Sequence, residues 1–294
     1  MVKVGVIGTG LMGQPMAQRL LSAGLSVVAY NRTPSKLESL RASGVQIVDS
    51  PENAIAASDC VILMLTNAVA IREVLLSEAS RQQLAGRTVI QMSTIAPSES
   101  REIHDAVVTS GGEYLEAPVL GSIPQAESGT LQVMVGATPE QFQQWSEFLK
   151  HFGSEPMLIG PVGTAAAMKL ALNQLIASLT TAFGLSLGFI QQQGVEVEQF
   201  MQILRESALY APTFDKKLQR MLEGNYADPN FPTKHLLKDT SLFLSEAQEI
   251  NLNISSLEGV RQVLEKAQQL GLADADYSSL FAAITPQQPL GRQN

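Results

Sequence analysis

Val2-Lys3-Val4-Gly5-Val6-Ile7-Gly8-Thr9-Gly10-Leu11-Met12-Gly13 opens the chain, and its reading decides the fold. The apolar residues up to Ile7 predict a short buried strand. A helical pattern follows Gly13 to about Ala23, where Gly24 supplies a stop. Between them lies G-x-G-x-x-G, and strand, glycine loop, helix is the order that turns a weak pattern into a dinucleotide fingerprint. The glycines permit a tight turn, close approach of a pyrophosphate and close helix–strand packing. The helix start then presents N–H groups and the positive end of its dipole to the phosphates. Gly8, Thr9, Gly10, Leu11, Met12 and Gly13 are therefore the expected pyrophosphate-binding segment.

The second predicted strand, 26–30, runs into Asn31-Arg32-Thr33. A site for a cofactor with a free ribose 2′-hydroxyl wants a carboxylate here, and there is none. Arg32 is either a solvated loop charge or a partner for a 2′-phosphate, with Asn31 and Thr33 adding neutral hydrogen bonds. The expected cofactor is NADP(H). Two further apolar strands, 61–65 and 88–92, end at Leu65-Thr66-Asn67 and Ser93-Thr94. In an open parallel sheet ligands lie beyond the carboxyl ends of the strands, which places these residues toward the nicotinamide. Residues 114–136 read as strand, Gly/Ser/Pro loop, strand. Gly121 and Ser122 in that loop are either turn chemistry or backbone donors to a small anion. A helix over 139–152 carries the single tryptophan, Trp145, as packing.

Gly160-Pro161-Val162-Gly163-Thr164 then opens a run to Gln193 without a proline. It predicts one continuous helix of roughly 45 Å, at about 1.5 Å per residue, with Thr164 as N-cap. Leu, Ile, Met, Ala and Phe occur on all its sides, which reads as a helix buried all round. Lys169 is the one basic residue of that run, and Asn173 follows on the same face. Either the lysine stem packs while its ammonium snorkels to water, or the amine is held partly desolvated for proton transfer with the amide orienting it. Beyond Thr164 the strand signal ceases, and helices are expected near 164–193, 196–209, 212–223, 233–250, 256–270 and 276–284. Lys234 and Lys238 sit one turn apart near a helix start, where the dipole opposes them, so either they answer a nearby anion or they form a solvated charged face.

Composition sets outer bounds. A chain of 294 residues, 45% hydrophobic and 16% charged, allows one large domain or two ordinary ones and can bury a sizeable core. A net charge of −8 without a basic run argues against a nucleic-acid-binding surface. The lone Cys60 lies in an apolar strand and reads as packing, and the three histidines lack metal-ligand spacing, so no metal is expected. The first strand starting at Val2 leaves no room for a signal or transit peptide, and 175–190 reads as a core helix rather than a membrane span. The expected compartment is cytoplasmic.

Taken together, these motifs resemble the β-hydroxyacid dehydrogenase family over nearly the whole chain, from Lys3 to about Ile284. The stretches that carry the resemblance are Gly8 to Gly13 with Pro15-Met16, Gly160 to Asn173, and Lys238-Asp239. It implies Lys169 as the catalytic lysine, Asn173 as its partner amide, Thr94 beside the nicotinamide ribose, and Lys238 closing on cofactor and substrate. Within the family, Tyr30-Asn31-Arg32-Thr33, Phe231-Pro232-Thr233-Lys234-His235 and residues 270–278 are most similar to the glyoxylate/succinic semialdehyde reductases. Leu120-Gly121-Ser122 departs from the family's usual Ser-Gly-Gly or Ser-Gly-Ser, and Leu120 lacks a hydroxyl expected to hold a substrate carboxylate.

The expected architecture is a Rossmann-type doubly wound α/β domain over 1–162 and an all-helical domain over 163–285. The two share a long interdomain helix, and a disordered tail over 286–294 follows. The expected activity is NADPH-dependent reduction of a short aldehyde acid, with the carboxylate held by Gly121, Ser122 and Lys238. An NAD(P)-dependent dehydrogenase of the 3-hydroxyisobutyrate or tartronate semialdehyde type is the alternative. An NADPH-binding module without turnover is the non-enzymatic one. The family implies a homodimer or homotetramer.

Overall fold

The computed structural model describes residues 2–285, so the tail expected over 286–294 lies outside the described residues. The chain forms two compact units, Met1–Leu170 and Ala171–Asn294. The first is built on nine strands: β1 (Lys3–Ile7), β2 (Ser26–Tyr30), β3 (Gln46–Ile47), β4 (Cys60–Leu63), β5 (Thr88–Gln91), β6 (Glu113–Glu116), β7 (Val119–Leu120), β8 (Gln132–Gly136) and β9 (Met157–Gly160). Their order is β3-β2-β1-β4-β5-β6-β8-β7, with β9 on β8. The strands from β3 through β6 are parallel, and β8 joins β6 antiparallel.

β1 lies between β2 and β4, with Val4 beside Val27 and Cys60. Its pleat sends Val4 and Val6 into one core with Met16, Ala17 and Leu20 of the helix Gly13–Ser22. Ile7 joins the opposite core with Ile55, Ile71 and Leu75. Burial on both faces is why these strands read as continuous apolar runs rather than alternating ones. Cys60 is a packed strand residue whose thiol burial pushes up to about 12, which makes it inert. The strand order reverses at β1/β4, and a doubly wound sheet binds its ligand beyond the carboxyl ends of such a pair.

Residues 114–136 differ from the expectation. The strand stops at Glu116 and resumes as β7, because Pro118 has no N–H for a ladder. The loop contains a short helix, Ile123–Ser128, ended by Gly129 at φ +71°. Ser122 and Gln125 form a capping box at its start, a signal present in the sequence as S-x-x-Q. Trp145 is buried and meets Phe148 edge-on, 5.6 Å between ring centres.

Helices form the second unit: the greater part of Thr164–Gln192, then Val197–Glu206, Pro212–Glu223, Thr233–Glu249, Ser255–Gln269 and Leu280–Ile284. Phe183 stacks on Phe214 at 4.7 Å within their common core. Lys217 makes a buried ion pair with both Asp276 oxygens at 2.9 Å and lies over the Tyr277 ring. Burial draws this lysine below its ordinary pKa, while the carboxylate opposes the shift.

The long helix is not buried all round. Ala177, Phe183 and Leu187 face the core, whereas Leu175, Leu185 and Phe189 are 50%, 63% and 65% exposed. Its apolar circumference hid which face the other helices leave open. The division between the units falls inside this helix. The first turn of the helix is tied back to the sheet by Glu116.

Candidate active site

The three glycines of the loop have three different reasons to be glycine. Gly8 has φ +96°, and a Cβ there would lie 2.3 Å from the Met64 carbonyl oxygen. A Cβ on Gly13 would lie 1.9 Å from the Gly8 carbonyl oxygen, so this glycine lets the helix sit against the turn. Around Gly10 a Cβ would meet nothing within 4 Å. The space over Gly10 is open, where a phosphate needs it. No side chain caps the helix Gly13–Ser22, and its first turn holds no acid. Open space over Gly10 and this uncapped start fit the pyrophosphate of a dinucleotide.

Thr9 is buried, and its hydroxyl accepts from Asn31 Nδ2 at 2.9 Å and donates to the Lys36 carbonyl at 3.2 Å. Asn31 Oδ1 in turn accepts the Thr33 N–H at 2.9 Å. Both ends of the Asn31 amide are thus used within the chain, and they shape the turn that leaves Arg32 exposed. At the end of β4 the Leu65 N–H donates to Ser93 Oγ at 2.7 Å. Ser93 is buried and doubly bonded to the Gln91 side chain, so it braces two strand ends instead of facing outward. Asn67 accepts from the Ala70 N–H as the cap of a helix. Thr66 is exposed and Thr94 half-buried beyond these strand ends.

Thr164 is not the cap of the long helix, since its hydroxyl donates to the Pro161 carbonyl at 2.7 Å. The cap comes from β6. Glu116 Oε1 accepts the N–H groups of Gly163, Ala165 and Ala166 at 2.8, 2.9 and 3.1 Å. A carboxylate at the positive end of a helix dipole satisfies donors that the helix cannot. Glu116 is fully buried, and its other oxygen accepts from Ser100. Burial holds its carboxyl above the usual carboxylate range, against the hydrogen bonds from Ser100 and the three amides. Sequence reading missed Glu116 because its partners lie 47 to 50 residues away.

Lys169 is 8% exposed and Asn173 2% exposed on this helix, one turn apart. Asn173 Nδ2 donates to Asp239 Oδ2 at 2.6 Å, while Asn173 Oδ1 is buried without a hydrogen-bond partner among the described residues. A buried, unsatisfied acceptor costs about 1–3 kcal/mol and marks a place where a donor is wanted. Asp239 also pairs through Oδ1 with the Lys238 ammonium at 2.8 Å. Lys234 pairs with Asp274. The anions expected beside these two lysines are therefore carboxylates of the chain itself. Between them, His235 is pushed down by burial, then by the Lys238 and Lys234 charges.

In the loop after β7, the backbone N–H and the hydroxyl of Ser122 both donate to Gln125 Oε1, at 3.0 and 2.7 Å. Gly121 stands next to it at φ +141°. No group of three or more potential metal ligands occurs among the described residues.

Residues 3–160 match the family described as the NAD binding domain of 6-phosphogluconate dehydrogenase. Residues 163–284 match the one described as NAD-binding of NADP-dependent 3-hydroxyisobutyrate dehydrogenase. The chain belongs to the β-hydroxyacid dehydrogenase family. It is 31% identical to glyoxylate/succinic semialdehyde reductase 1 of Arabidopsis thaliana, over 96% of this chain and 98% of that one. A Mycobacterium tuberculosis 3-hydroxyisobutyrate dehydrogenase structure with L-serine shares the fold at TM-score 0.87 and 22% identity, covering 97% and 100% of the two chains. So does a structure described as Psf3 in complex with NADP+ and 2-OPP, at TM-score 0.84 and 21% identity over 96% and 100%. The protein is an oxidoreductase acting on CH–OH groups with a nicotinamide cofactor.

Proposed function

We propose that the protein reduces a short aldehyde acid, of the glyoxylate or succinic semialdehyde class, to the hydroxy acid with NADPH. The observation that carries this reading is the buried Lys169–Asn173 pair, with an Asn173 oxygen left without a partner. The names of the Arabidopsis relatives support the substrate class. When bound, the reduced nicotinamide supplies the hydride. Lys169 gives its proton to the oxygen that becomes the hydroxyl, a role worth about 10²–10⁴-fold in rate. Asp239 engages the Asn173 Nδ2 and leaves Oδ1 as the end that can accept, an arrangement that would steady the lysine ammonium. Gly121, Ser122 and Lys238 are the proposed holders of the substrate carboxylate. To take part, Ser122 would have to release a donor from Gln125, or Gln125 itself would face the substrate.

Arg32 supports NADPH over NADH. It is exposed after β2, without an ion pair among the described residues, in a turn that carries no carboxylate. The test is a panel of short aldehyde acids with NADPH run beside hydroxy acids with NADP+. Turnover confined to the hydroxy-acid arm, or equal use of NADH, would reject the reading.

A further inference from the structure

Lys217 and Asp276 form a buried ion pair that the proposed chemistry does not use. Lys217 is 8% exposed and Asp276 fully buried. The ammonium donates to both Asp276 oxygens at 2.9 Å, and Oδ1 also accepts the Ser278 N–H and hydroxyl at 3.1 and 2.7 Å. Stability alone does not call for such a pair, because apolar side chains of similar volume often serve it as well or better. What the pair holds is a junction. The Asp276 N–H donates to the Tyr226 carbonyl at 2.9 Å, and the Asp276 carbonyl accepts the Thr233 hydroxyl at 3.3 Å.

The helix Thr233–Glu249 starts on this junction. Pro232 stands at its N-cap and has no side-chain acceptor to give. The Thr233 and Lys234 N–H groups donate instead to the Ala275 and Ala273 carbonyls, both at 2.9 Å. The Thr233 hydroxyl also shares a hydrogen bond of 2.9 Å with Ser279. A helix rises about 1.5 Å per residue with about 3.6 residues per turn, so pinning its first turn fixes the height and direction of the side chains that follow. Lys238 and Asp239 come five and six residues after Thr233. Asp239 is the residue that accepts from Asn173 Nδ2 at 2.6 Å.

We propose that Lys217 and Asp276 are a positioning pair: by clamping the turn on which the helix Thr233–Glu249 starts, they set where Asp239 meets the Asn173 amide and where the Lys238 ammonium stands. The pair's kinetic effect rests on the roles proposed above for Asn173 and Lys238, whereas its hold on the helix does not. A pair that only stabilised the fold would leave the kinetics of the folded enzyme alone. A positioning pair moves kcat through Asn173 and the substrate KM through Lys238, since a misplacement of about 1 Å from a distant site can cost about 10²-fold.

Three variants of the full chain, assayed where each is folded, separate the two. Lys217→Met keeps the apolar stem and removes the charge. Thr233→Val removes the hydroxyl tie without orphaning a buried charge, and it decides the matter if Lys217→Met does not fold. Met201→Ala truncates a fully buried side chain of the helix Val197–Glu206 and controls for lost stability alone. Lys217→Met should lower kcat about 10–100-fold and raise the KM for the aldehyde acid, and Thr233→Val should move both in the same directions. Met201→Ala should move neither. Amide hydrogen exchange, which needs no substrate, should quicken over residues 233–239 in the first two variants and stay unchanged in Ser255–Gln269. Parent-like kcat and KM in Thr233→Val, equal kinetic losses in Met201→Ala, or unchanged exchange over 233–239 would each overturn the proposal. A parent that turns over no aldehyde acid would reject the proposed function instead, and exchange would still decide the clamp.

Discussion

Gly10→Ala isolates cofactor binding from folding, because the structure assigns different costs to the glycines of one loop. At Gly13 the added methyl would stand 1.9 Å from a backbone oxygen, which no rotamer change relieves. Overpacking of that kind costs about 1–3 kcal/mol or more, which lowers Tm by roughly 3–10 °C in a unit of this size. At Gly10 the methyl meets nothing, so Tm should stay within about 2 °C of the parent. The same methyl would occupy the space over the loop that a pyrophosphate needs. A loss of about 1.4 kcal/mol or more, at least tenfold in the NADPH Kd, should follow. Thermal unfolding and fluorescence titration with NADPH separate the two effects. Should Gly10→Ala bind NADPH as the parent does, the phosphates do not lie over this glycine and the reasoning fails.

Arg32→Ala should weaken NADPH binding roughly 10–100-fold, the worth of a charge-assisted contact of about 1.5–3 kcal/mol, and leave the NADH Kd unchanged. Equal losses for both cofactors would remove the 2′-phosphate from Arg32. Lys169→Ala should lower kcat about 10²–10⁴-fold with NADPH binding intact; full turnover by that variant would reject the lysine as the acid. Glu116→Gln tests the buried helix cap through pH. Burial holds this carboxyl above its ordinary value of 4.5, so the folded chain keeps the proton to higher pH than the unfolded chain. Its contribution to stability is complete below about 4.5 and is lost as pH rises through the raised folded value. Urea unfolding from mildly acidic to neutral pH should show that decline in the parent and a flatter profile in Glu116→Gln, whose carbonyl can still accept from the helix start. An unchanged profile would show that Glu116 is ionised throughout.

The sequence by itself determined the parts that depend on local order. Strand, glycine loop and helix from Val4 to Leu20 follow from apolar runs and from Gly8, Gly10 and Gly13. The helical second half follows from periodicity and from breakers such as Pro212 and Gly224. The Lys169–Asn173 spacing is legible because an α-helix sets it. Only the tertiary structure decided what comes from far along the chain. It brought Glu116 to the start of the long helix, Asp239 between Asn173 and Lys238, and Ser93 onto the Leu65 amide. It also left one stripe of an apparently all-round apolar helix open. The physical reason is the same in each case. Periodicity states which residues can be buried, whereas the partner of a buried carboxylate, or the face another helix leaves uncovered, depends on elements that no local pattern encodes.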